Sequence, residues 1–65
     1  MYLVDRQDEI LAIIDRDEMT TASDIAAELG IKRPRALLLL RALAHKSGLI
    51  MEHKHGRAVS FTRPR

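Results

Sequence analysis

The stretch Thr21–Ile50, TASDIAAELGIKRPRALLLLRALAHKSGLI, decides the fold. Its first third predicts a helix over about 22–29. Thr21, followed three residues later by Asp24, has the form of a capping box with Asp in the usual Glu place. Ile25, Ala26 and Leu29 fall on one helical face, and Gly30 stands where a left-handed residue ends a helix. A short turn, Gly30-Ile31-Lys32, leads to a longer helix over about 33–46. Pro34 suits its first turn, where a missing N–H costs nothing, and Ser47-Gly48 stops it. At 100° per residue Ala36, Leu37, Leu40, Leu43 and Ala44 share one face. Arg35, Leu38, Ala42 and His45 fall opposite, with Arg41 and Lys46 flanking them.

Upstream, Ile10, Leu11, Ile13 and Ile14, with Val4 one turn earlier, form an apolar stripe that predicts a helix over about 5–16. Asp5 is the expected N-cap, and Asp5, Asp8 and Glu9 lie near the positive end of the helix dipole. Downstream the period changes from helical to two. Leu49 to Lys54 and Arg57 to Thr62 read as two short strands within a hairpin over about 49–62, with His55-Gly56 as the turn. Val59 and Phe61 alternate with Ser60 and Thr62, so one face can pack on the helices. Arg63-Pro64-Arg65 adds a basic tail.

Three helices, a three-residue turn between the second and third, then a basic hairpin give the winged helix-turn-helix order, mainly α with a small β-hairpin. Ala26 is small where the two helices cross, and Ile31 plugs the core from the turn. Ala36, Leu40 and Leu43 fall 6, 10 and 13 residues after Gly30. Over its whole length the chain resembles winged helix-turn-helix regulators. It is similar to the small pilus-operon regulators of the FaeA/PapI type in length, in its first helix and in the run Leu37 to Leu40. It is similar to the DNA-binding domain of LexA-type repressors at Arg6-Gln7 with Glu9, at Pro34, and at Arg41-Ala42-Leu43-Ala44 with Lys46 and Gly48. One extra residue precedes Gly48 relative to the usual pattern.

At 65 residues the chain is one domain. A domain of this size buries only about 60% of its unfolded surface, which leaves no room for a deep substrate cavity. With no cysteine it has no disulfide, thiolate zinc site or cysteine nucleophile. Its only aromatics, Tyr2 and Phe61, are too few for a single-strand binder built on stacking platforms. No apolar run reaches membrane-spanning length, and no basic segment followed by an apolar one marks a signal peptide; the expected compartment is the cytoplasm. Charge is segregated. Residues 1–28 carry eight acids against Arg6 and Arg16, a net −6, whereas residues 29–65 carry nine bases against Glu52 alone, a net +8. A basic half of this kind suits a polyanion, DNA or RNA.

What the resemblance implies agrees with this charge pattern. The expected function is a sequence-specific, double-stranded DNA-binding transcription regulator whose third helix lies in the major groove. Arg33 and Arg35 are then the base-reading arginines, because Arg is the commonest reader of guanine. Lys32, Arg41 and Lys46 hold phosphates, as does the start of the second helix near Thr21, Ala22 and Ser23. Lys54, His55 and Arg57 reach the backbone or minor groove from the wing tip. Binding is expected as a homodimer or beside a second DNA-bound regulator. The recognition positions implied by the LexA-like pattern include Leu38 and Leu39. Three readings are open for these leucines: contact with thymine methyl groups, a partner surface, or plain core. The partner reading makes the chain a protein-interaction module gripping its target through the third helix. His53 and His55, two apart on a strand, share a face with only Glu52 near, and no metal site is expected. Ser23, Ser47 and Ser60 lack a His–Asp set and no Gly-rich phosphate loop is present, so neither an enzyme nor a cofactor is expected.

Overall fold

The computed structural model describes residues 4–17 and 19–64; Glu18 and Arg65 lie outside them. The elements are α1 (Gln7–Asp17), α2 (Ala22–Leu29), α3 (Arg33–Ala42), a π-helical turn (Leu43–Ser47) continuing α3, β1 (Met51–His55) and β2 (Ala58–Thr62). The strands pair antiparallel, Met51 with Thr62 through His55 with Ala58. The architecture is three helices followed by a two-stranded wing.

The segment that decides the fold forms as its chemistry dictates. The Thr21 side chain accepts the Asp24 N–H at 3.3 Å while the Asp24 carboxylate accepts the Thr21 N–H at 3.0 Å, which closes the capping box. Gly30 ends α2 in the left-handed region at φ 67°, its N–H and that of Ile31 both donating to the Ala26 carbonyl. A side chain with a Cβ meets strain at that φ, so glycine is the favoured residue. Ile10, Ile14, Ile25, Ala36, Leu40, Leu43 and Phe61 are fully buried and form one core between the helices and the wing. Burying a phenylalanine or leucine of this kind contributes on the order of 1.5–3 kcal/mol.

The structure departs from the sequence reading at five places. The first helix starts at Gln7 rather than Asp5, and Asp5 does not cap it. Ile10 N–H donates to the Arg6 carbonyl at 3.1 Å, so Arg6 takes the cap position, with φ 56°. Its side chain is held on both sides, donating to Glu9 at 2.9 and 3.1 Å and to the Leu29 carbonyl at 3.0 Å. This tie to α2 outweighs the local preference for Asp. The third helix spans its expected length, but its last turn is π-helical. Gly48, at φ 67°, donates to Leu43, five residues back. A π turn holds one residue more than an α turn, so the chain reaches Gly48 one residue later than a regular α turn would bring it.

In the wing, the strands begin at 51 and 58 rather than 49 and 57, and Gly56-Arg57 rather than His55-Gly56 forms the turn. A turn at His55-Gly56 places Lys54 directly opposite Arg57, an unfavourable like-charge pair. The observed register opposes His55 to Ala58 and gives Gly56, at φ 60°, the position glycine takes in a type II′ turn. Leu49 and Ile50 fold back instead of pairing: the Leu49 N–H donates to the Leu43 carbonyl and Ile50 is buried. The fourth departure is an isolated bridge on the other edge of β2. Thr20 pairs with Phe61 through two backbone bonds of 3.1 and 2.7 Å, pinning the α1–α2 connection to the wing. The fifth concerns the leucine run. Leu39, which the 100° spacing leaves off the core face, is buried, whereas Leu37 is only half-buried and Leu38 is exposed, so of the readings open for Leu39 the core one holds.

Candidate nucleic-acid interface

Helix α3 and the wing carry the basic half of the chain. Lys32 is the residue before α3, with no side-chain hydrogen bond at the helix start. Lys32, Arg33, Arg35, Leu38, Arg41, His45 and Lys46 are exposed along α3 and the π turn, as are Lys54, His55 and Arg57 at the wing end. Lys32, Arg33, Lys54 and Arg57 form no ion pair with any described residue. α3 has no acid in its first turn, so nothing on the helix itself offsets Arg33 and Arg35.

Two acids from elsewhere meet this surface. The Asp5 carboxylate, on the turn before α1, lies 3.5 Å from Arg35 with both groups exposed, a contact worth little to stability. Glu52 is different. It lies on β1 opposite Phe61, on the sheet side that meets the helices, and its side chain is only 9% exposed. His45 Nε2 lies 2.7 Å from Glu52 Oε1, and Arg41 Nε lies 3.7 Å from Oε2. The hydrogen bond from His45 holds the Glu52 carboxyl below the usual glutamate range, against burial and with help from the charges of Lys54 and Arg41. The single acid of the basic half is therefore turned inward and links the wing to the end of α3, its Oε1 bonded to His45 while the buried Oε2 faces Arg41 without a hydrogen bond.

The sequence reading placed His45 on the outward face of the third helix and Glu52 in the basic half, but missed their pairing and the approach of Asp5 to Arg35. The other expected residues are distributed unevenly. Ser23 is exposed, but the Thr21 hydroxyl is already the acceptor of the α2 cap, and Ala22 is buried. Asp24 also places a carboxylate at that helix end, which disfavours phosphate there. His53 turns away to Thr62 Oγ1 at 2.7 Å. Among the described residues no three His, Cys, Asp or Glu side chains converge on a metal-sized site.

Beside α3 runs a groove of about 550 Å³ between Val4-Asp5 and the helix, walled on the helix side by Arg35, Leu38, Leu39, Arg41, Ala42, His45 and Lys46. Leu38 stands on it at 59% exposure. Among the described residues no helix is long and apolar enough to cross a membrane. No family model, curated protein or solved structure matches the chain.

Proposed function

We propose that the chain is a cytoplasmic, sequence-specific regulator of transcription that binds double-stranded DNA, with α3 in the major groove and the wing tip on the flanking backbone. One observation carries this reading: exposed cations line α3 and the wing, and the only acid of that half is turned inward onto His45 and Arg41. Such a surface attracts phosphate, and the exposed Arg35–Asp5 pair at 3.5 Å is weak enough to open to it. Arg33 and Arg35, at the N-terminal end of α3, are the base readers. Lys32, Arg41, Lys46, Lys54 and Arg57 are the phosphate contacts, with His55 and Ser23 at the margins. A homodimer, or this chain beside a second bound regulator, reads two half-sites. Selection from a random duplex library tests the proposal. A defined motif, weakened and made more permissive by Arg35→Ala, is the expected outcome; a pool that stays unenriched after several rounds overturns it.

A second reading, an interaction module that grips a partner chain through α3, draws on the exposure of Leu38. It differs in outcome: the partner masks α3, and DNA does not compete.

A further inference from the structure

Leu38 has no structural task. The core side of α3 is filled by Ala36, Leu39 and Leu40, with Leu43 following, and Leu38 lies outside it among cations. Arg35 is one turn before it, and Arg41, His45 and Lys46 share its groove. An apolar side chain in this setting gains when a surface covers it, and the cations decide which surface. A second copy docked through the same face brings two sets of Arg35, Arg41 and Lys46 into one contact with Asp5 as the only acid of each groove, because a two-fold contact uses the same patch on both copies. A polyanion is complementary to them instead. The apolar feature that base edges present in a DNA major groove is the 5-methyl group of thymine.

Building on the DNA-binding reading, we propose that Leu38 reads a thymine methyl beside the base read by Arg35. Three residues of helix rise about 4.5 Å, against about 3.4 Å per base pair, so the thymine falls one or two base pairs from the base contacted by Arg35. Asp5, 3.5 Å from Arg35 with both groups exposed, makes a weak contact that Arg35 leaves to read a base. The ligand class is thereby narrowed to thymine-containing DNA, since uracil lacks the methyl.

The test uses the wild-type chain and a duplex selected from a random library, remade with each thymine replaced in turn by deoxyuridine. This removes one methyl and leaves base pairing intact. One position is expected to lose affinity by about fourfold, the fold-change that burying one methyl-sized group gives. Leu38→Ala loses the same factor on the thymine duplex and is then indifferent to the replacement. Leu38→Gln shifts the preferred base at that position toward adenine. Because the residue is exposed, both variants are expected to keep the wild-type melting temperature. Tight binding of the selected duplex with no sensitive thymine overturns the leucine assignment and leaves DNA binding standing. Failure to select any duplex overturns both. If Leu38→Ala instead converts a dimer to a monomer in sedimentation while every deoxyuridine duplex binds as tightly as its parent, the face belongs to a second copy.

Discussion

In the α1–α2 half, the arginines are consumed internally. Arg6 is held by Glu9 and the Leu29 carbonyl, and Arg16 by Asp17 and Glu28, the latter contact joining the two helices at 2.7 Å. In the α3–wing half, Lys32, Arg33, Lys54 and Arg57 have no ion-pair partner among the described residues, and the one acid is drawn inward. Arginines of this half divide: Arg35, Arg41 and Arg63 meet Asp5, Glu52 and Asp15, while Arg33 and Arg57 face outward without an ion pair among the described residues. Exposed pairs contribute little to stability, so in the first half they chiefly occupy its two arginines on a surface that stays acidic at a net −6, while the second half keeps its positive field. The difference teaches that net charge is a poor guide here: a total of +2 conceals two surfaces of opposite use.

The largest expected effect removes the ground that both halves share. Phe61 is fully buried and its backbone pairs with Thr20 from the α1–α2 connection. Phe61→Ala is expected to cost about 3–5 kcal/mol, enough to unfold much of the population, as urea titration followed by circular dichroism will read. Survival of a cooperative transition near the wild-type midpoint would mean that the halves do not depend on this contact. Next, Arg35→Ala is expected to weaken binding to a selected duplex by about 1–3 kcal/mol and relax its specificity, with an unchanged melting temperature. An equal loss on every sequence would demote Arg35 from reader to phosphate contact. Thr21→Ala reverses the pattern. It is expected to cost about 1 kcal/mol of stability through the lost cap and to leave DNA affinity nearly untouched, as thermal melts and anisotropy together will show.

The smallest effect concerns Glu52. Its carboxyl titrates below the usual range in the folded chain, chiefly because of the hydrogen bond from His45. A depressed folded pKa contributes stability above the unfolded pKa, and that contribution is lost as pH falls through the folded value. The wild-type advantage over Glu52→Gln is therefore expected at neutral pH and should fade on acidification below the ordinary glutamate range. A constant gap across that range would remove the carboxylate's charge from the account.

The α2 helix was fully legible because its signals are local: Thr21 and Asp24 satisfy one another, and Gly30 needs no distant partner. The start of α1 was not, since Arg6 takes the cap position through a contact with Leu29, 23 residues away. The Thr20–Phe61 bridge left no local trace for the same reason. The π turn did leave one, the surplus residue before Gly48, but spacing alone does not say whether a loop or a widened turn takes it up. Four successive leucines place apolar groups at every angle of a helix, so only the packed structure separates buried Leu39 from exposed Leu38. The cations of the candidate interface could be read from composition. The inward turn of Glu52 depends on strand register, and the sequence alone favoured a turn one residue earlier.

Salt dependence reads most directly whether the outward-facing cations meet phosphate. Anisotropy of a labelled 25-base-pair duplex across a salt series should show affinity falling log-linearly, with a slope corresponding to about three or more phosphate contacts at ~0.9 each. Arg57→Ala should reduce that slope by about one contact. Absence of binding at low salt, or a flat dependence, contradicts the account and leaves the basic half as a solvated surface.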